Sequence, residues 1–234
     1  MSEAKVSVFR IQKYLQTPEH EVEVPALEEY GDDDKNKNIA IILSNATCHW
    51  NYDGNGSALM GDPEEAVYAP HLIMALNNIN AKFEEGQLTC VLGEVGSGKT
   101  ALLKLLAGEL ALSRGRHNRK TDYSVAYAQQ DPWIFQGTVK ENILVGRPFD
   151  DKLYESVIFA SGLTVDFIQL RNGEHTNVGD KGSGLSGGQR ARVALARCLY
   201  GDSDIGLLDD PLAAGTYTVN YSNAILLATP SHIQ

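Results

Sequence analysis

Apolar residues along this chain gather in short runs divided by polar, glycine-containing stretches. IAIIL (39–43), QLTCVLG (87–93), SVAY (124–127), IGLL (205–208) and AILLA (224–228) are each too short for a buried helix and read as buried strands. ALLKLLAGEL (101–110) predicts a helix closed by Gly108. RARVALARCLYG predicts another, with an apolar face of Val193, Ala196, Leu199 and Tyr200 and an end at Gly201. Further helical stretches lie between SVAY and the second helix. Strands alternating with helices imply an α/β layer structure. No internal repeat interrupts the pattern.

The N-terminal stretch differs. From about residue 2 to 16, Val8, Ile11, Tyr14 and Leu15 fall at helical spacing among Lys5, Arg10 and Lys13. Residues from about 17 to 37 are acidic and end in GDDDKNKN, which predicts a mobile linker because like charges repel and little can be buried. NYDGNGSALMGDPEEAVYAP (51–70) is rich in Gly, Asp and Pro and reads as a surface insertion.

Composition narrows the function classes. Apolar content of 43% in 234 residues allows a sizeable core. The net charge of −10 argues against a nucleic-acid partner, whose phosphates call for a basic face. Cys48, Cys90 and Cys198 are odd in number, far apart and without a CxxC pair, which points to unpaired thiols in a reducing compartment. No apolar run approaches a membrane span, and the first residues lack the features of a secretory signal. The histidines His20, His49, His71, His117 and His175 form no spaced ligand set.

Three motifs carry chemistry. GEVGSGKT, Gly93 to Thr100, follows a strand and opens a helix, the context a phosphate-binding P-loop requires. Gly93, Gly96 and Gly98 let the backbone turn so that the N–H groups of Glu94, Val95, Ser97, Lys99, Thr100 and Ala101 surround phosphate oxygens. Lys99 reaches the outer phosphates and the Thr100 hydroxyl ligates Mg2+. LSGGQ places Ser186, Gly187, Gly188 and Gln189 at the second helix start, where Ser186 can cap the helix or donate to a phosphate. The strand IGLL ends in Asp209 and Asp210, a natural position for a carboxylate that supports Mg2+ beside a nucleotide.

Together, GEVGSGKT and LSGGQ resemble the nucleotide-binding domain of an ATP-binding-cassette transporter. VSVFRIQKYL, PWIFQGTVKENILVG, GDKGSGLSGGQRARVALAR and LLDDPLAA are similar to the multidrug-resistance-associated subfamily C, and LLDDPL to its first nucleotide-binding domain. The resemblance covers most of residues 3–16 and 39–214. It implies a P-loop NTPase fold of the ABC ATPase type over residues 38–234, with an antiparallel β subdomain, a helical subdomain at about 131–186 and an incomplete C-terminal part. Residues 1–16 become the helix that follows a membrane domain.

The resemblance also implies roles. ATP and Mg2+ are the cofactors. Trp50 stacks on adenine, worth about 1–3 kcal/mol. Asp209 supports Mg2+ together with Thr100 and Gln130; Gln129 adjoins Gln130, and alignment on Trp133 favours Gln130. Ser186 to Gln189 close over ATP held by a second such domain. The partners are that second domain and transmembrane domains, with the chain on the cytosolic face of a plasma, vacuolar or lysosomal membrane, coupling ATP binding or hydrolysis to transport of organic anions or drugs.

The pattern departs from the family after Asp209. The family's glutamate, which polarises the attacking water, is Asp210 here, one methylene shorter. The segment after DDPL reads AAGT, Ala213 to Thr216, without the loop aspartate. AILLA falls where the strand ending in a switch histidine is expected, but Pro230 stands in the histidine's place and His232 is two residues further on. GTYT resembles a segment from beyond that histidine, so a stretch is expected to be missing, leaving an apolar face or edge uncovered. Weak or absent turnover is expected of this chain alone. Two rivals stand beside the transporter: an ATP-binding regulatory module that never hydrolyses, and a soluble ABC-type ATPase. A small P-loop kinase is disfavoured by the LSGGQ helix.

Overall fold

A nine-residue helix, α1 (Lys99–Ala107), lies against two β-sheets and organises the first core. The computed structural model describes residues 38–50, 73–120 and 122–211, the backbone of Ala224–Ala228, and Val8, Phe9, Ile11, Gln12 and Leu15. Those five N-terminal residues are helical and exposed. The acidic stretch 17–37, the insertion 51–70 and the segment Ala213 to Thr216 lie outside the described residues, as do Pro230 and His232.

The first sheet has the order β2-β1-β4, built from β1 (Ile39–Trp50), β2 (Ile73–Glu84) and β4 (Leu112–Arg119), with β1 antiparallel to both neighbours. Only β1 announces itself by an apolar run. In β2 just Leu76 and Phe83 are buried, and β4 reads LSRGRHNR. Both are strands because β1 pairs with them, not because of their own patterning.

The second sheet has the order β3-β7-β6-β5, from β3 (Thr89–Leu92), β5 (Val125–Ala128), β6 (Ile205–Asp209) and β7 (Ala224–Ala228). β5 and β6 are parallel. β7 lies between β3 and β6 and is antiparallel to each. The antiparallel direction has a consequence: Ala224 pairs with Leu92 at the P-loop end, whereas Ala228 pairs with Gly206 at the other end. The strand therefore leads away from the P-loop. On its outer side β3 has no partner strand among the described residues, and Leu92 there is exposed.

Strand alternation divides the second sheet between two cores. Val125 and Tyr127 of β5 and Ile205 and Leu207 of β6 face α1 and the first sheet. Ala126, Ala128 and Leu208 face the opposite way, toward Leu195 and Cys198 of the long helix α5 (Gly187–Tyr200). α1 is apolar nearly all round, with Ala101, Leu103, Leu105 and Leu106 buried, as a helix held between two layers must be. It ends at Gly108 in a left-handed conformation.

A separate helical core joins α5 to α2 (Val139–Leu144), α3 (Asp151–Ala160) and α4 (Leu163–Gln169). Thr138 and Glu141 form a reciprocal capping box on α2, and the Asp150 side chain caps α3. Asn142, fully buried, knits this core to the segment after β5: its Nδ2 donates to the carbonyls of Phe135 and Thr138, and its Oδ1 accepts from Phe135 N. Arg197 of α5 donates to Asn142 Oδ1 and O and to the Trp133 carbonyl.

His117 of β4, opposite Leu43 of β1, is 2% exposed, and its Nε2 has no hydrogen-bond partner among the described residues. Burial, with a smaller push from Arg119, lowers its pKa from 6.5 to about 4. A depressed histidine pKa means that the unfolded chain takes up the proton first. Stability is therefore expected to fall as pH drops from about 6.5 toward about 4 and then level off, by on the order of 3 kcal/mol. Urea unfolding across that window is expected to show this slope in the parent chain and its loss in His117→Leu.

Candidate functional site

The P-loop side of the site starts from the end of β3. Gly93 cannot carry a Cβ without meeting Ser97 Oγ at 2.7 Å, so the loop folds tightly on itself. Gly98 has φ +93°, and a Cβ there would lie 3.0 Å from the Ala75 carbonyl of β2. Glu94, Val95, Gly96 and Ser97 form an exposed turn closed by Ser97 N donating to the Glu94 carbonyl, with Val95 87% exposed at its tip.

α1 begins at Gly98 without any side-chain cap and without an acidic residue in its first turn. The helices α2, α3 and α5 carry side-chain caps, whereas α4, like α1, starts at a glycine without one. The first N–H groups of α1, including those of Lys99, Thr100 and Ala101, therefore keep their positive dipole end open to an anion. Lys99 Nζ donates to the carbonyls of Gly93 and Glu94 at 2.8 and 2.7 Å, so its charge is held over the loop. An uncapped helix end, a folded-over lysine and a glycine turn are the donor set that phosphates require.

The carboxylate side of the site comes from β6. Ile205, Leu207 and Asp209 alternate onto one face, so a strand that buries two apolar residues against α1 must present Asp209 at the start of that helix. Thr100 Oγ1 donates to Asp209 Oδ2 at 2.9 Å, across 109 sequence positions. Among the described residues no cluster of three acidic, His or Cys side chains surrounds this pair. A hydroxyl beside a carboxylate suits Mg2+, which is held by one or two protein oxygens plus substrate phosphates rather than by a protein cage. The hydroxyl and carboxylate thus fit the cation.

Asp210 follows with φ +51°, and its Oδ1 is buried without a partner. Burial and then the charge of Asp209 raise its pKa, while Lys99 opposes the shift. Gln130 sits exposed in the bend after β5 and hydrogen-bonds to no described residue. Gln129, also exposed, lines an open cavity of about 340 Å³ with Trp133, Arg147 and Arg197. Trp50, at the end of β1, packs partly buried on the first core, with Lys104 Nζ of α1 5.8 Å from its ring centroid.

The LSGGQ residues lie on the helical core. Ser186 Oγ accepts from Gln189 N at 3.2 Å, and Gln189 Oε1 accepts from Ser186 N at 2.9 Å, a complete capping box that leaves the serine hydroxyl proton free. Gly187 and Gly188 form the first turn without side chains, keeping that surface open. Gln189 Nε2 lies 3.4 Å from Asp166 Oδ1. Asp166, 4% exposed, is also gripped by Arg192 at 2.6 and 2.8 Å, which ties α4 to α5. No hydrogen bond links Ser186–Gln189 to the P-loop within the described chain.

The sequence profile of the family described as ABC transporter matches residues 76–213, which contain the P-loop, the Asp209 strand and the LSGGQ helix. The chain belongs to the ABC transporter family. It carries that family's ATP-binding domain, and its relatives include proteins named as subfamily C or multidrug-resistance proteins. Metal resistance protein YCF1 of Saccharomyces cerevisiae is 52% identical over 62% of the chain and 9% of its own length. ABC transporter C family member 13 of Arabidopsis thaliana is 38% identical over 91% of the chain and 14% of its own length. ATP-binding cassette sub-family C member 4 of Homo sapiens is 46% identical over 59% of the chain and 10% of its own length. The chain thus spans roughly a tenth of these relatives' length. None of the described helices of this ABC domain is long and apolar enough to cross a membrane.

Proposed function

We propose that this chain is the first nucleotide-binding domain of a subfamily C transporter. It holds Mg-ATP between the P-loop and Asp209, and pairs through Ser186, Gly187 and Gly188 with the P-loop of a second such domain. The observation that carries this is the Thr100–Asp209 hydrogen bond beside an uncapped helix start, which joins a phosphate cradle to a cation-supporting carboxylate. The separation of LSGGQ from the P-loop within one chain supports closure in trans. Bound Mg2+ would neutralise phosphate charge; Lys99 and the first N–H groups of α1 bind and orient the phosphates. Trp50 is read as the adenine platform and Gln130 as the link to membrane domains at a cytosolic membrane face. Transport of organic anions or drugs belongs to the assembled transporter.

A second reading, an ATP-binding module that does not hydrolyse, is favoured by β7. Its direction takes the strand away from the P-loop end of the sheet. Asp210 also falls a methylene short of the glutamate expected there. ATP binding and turnover measured on the purified chain separate the readings. Binding without turnover is expected of the isolated chain; turnover removed by Lys99→Ala would eliminate the non-hydrolysing reading, and absence of ATP binding would overturn both.

A further inference from the structure

Asp209 has a second partner that the P-loop chemistry does not account for. Tyr127 OH lies 3.3 Å from Asp209 Oδ2, the same oxygen that accepts from Thr100 Oγ1 at 2.9 Å. Tyr127 stands opposite Leu207 in the parallel β5–β6 pair, so its side chain shares a sheet face with Leu207 and with Asp209 two residues on. Two hydroxyls from two elements therefore converge on one carboxylate oxygen. Oδ1 takes no hydrogen bond from any described residue.

We propose that Tyr127 is a positioning residue which, with Thr100, pins Asp209 through Oδ2 and reserves Oδ1 for the divalent cation that accompanies ATP. This rests on the Mg-ATP reading of the site. A carboxylate on a strand end rotates about its Cβ–Cγ bond; one donor fixes a distance, and two donors on the same oxygen fix the orientation as well. A cation takes a lone pair of the Thr100 oxygen and leaves its proton on Oδ2, so the two donors act on the carboxylate together.

The test is a Mg2+ titration of ATP binding to the full chain, read with a fluorescent ATP analogue, in the parent, Tyr127→Phe, Asp209→Asn and the double variant. Tyr127→Phe is expected to raise the Mg2+ concentration at half-saturation by about tenfold. Nucleotide binding in EDTA is expected to stay unchanged. In the Asp209→Asn background, Tyr127→Phe is expected to add nothing further. The rise in Tm that Mg2+ adds to ATP, taken within each variant, reports the same change even if the phenylalanine lowers the starting Tm. A shift below about twofold, or an undiminished effect of Tyr127→Phe in the double variant, would overturn the positioning role while leaving the Mg-ATP reading intact. Parent chain that binds ATP equally with Mg2+ and with EDTA would overturn both.

Discussion

Lys99→Ala is expected to weaken ATP binding by about 10- to 100-fold. A hydrogen bond to a charged group is worth about 1.5–3 kcal/mol, and about 1.4 kcal/mol is tenfold in affinity. The net effect is the difference between two sets of contacts, because Lys99 Nζ already donates to the Gly93 and Glu94 carbonyls without ligand. Those carbonyls are neutral acceptors on a largely exposed loop, whereas ATP offers several anionic oxygens beside a helix dipole. The exchange therefore favours phosphate. Alanine also releases the loop, whose shape then depends on the Gly93–Ser97 turn alone. Titration with a fluorescent ATP analogue, with the Tm of both proteins as control, measures the loss. Unchanged affinity would place the nucleotide somewhere other than the P-loop.

The largest stability effect is expected from Asn142→Ala. The side chain is fully buried and satisfies Phe135 N, the Phe135 and Thr138 carbonyls and one arm of Arg197. Truncation strands Phe135 N, the Phe135 carbonyl and that arm of Arg197 in an enclosed site, while the Thr138 carbonyl keeps the Asn142 N–H. Each stranded buried group costs about 1–3 kcal/mol, and the losses overlap because the groups can partly relax together. A total of about 3–5 kcal/mol is expected, seen as a Tm lowered by roughly 10 °C in a domain of this size. Because Arg197 also holds the Trp133 carbonyl, the segment carrying Gln130 should loosen relative to α5. Hydrogen exchange at residues 130–138 is expected to accelerate in the variant. A loss below about 1 kcal/mol would mean that Arg197 by itself joins the two segments.

Several parts of the site were legible because their signals are local. A glycine turn between a strand and a helix, and a serine three residues before a glutamine, act within one or two turns of chain. Their consequences, an uncapped α1 and a capping box on α5, follow from those residues alone. The apolar runs marked β1, β3, β5, β6 and β7 for the same reason. β2 and β4 carried no such signal, since a strand with one or two buried positions and a polar remainder has no hydrophobic period to read.

Asp166 and Asn142 looked like ordinary polar residues of helical stretches; their roles arise from burial against α5, which sequence spacing does not encode. Tyr127 left a faint trace. Val125 and Tyr127 alternate with Ala126 and Ala128, large side chains toward one core and small ones toward the other. That alternation places Tyr127 on one face without revealing Asp209 as its neighbour.

By itself the sequence determined the family, the phosphate cradle, the LSGGQ cap and the carboxylate at the end of β6, because each depends on short-range backbone chemistry. The tertiary structure decided which groups meet. Thr100, Tyr127 and Asp209 come from three elements and converge only because β5, β6 and α1 share one buried face. It also decided the direction of β7. The apolar run itself suits a strand running either way, and only its pairing with β3 and β6 makes it antiparallel.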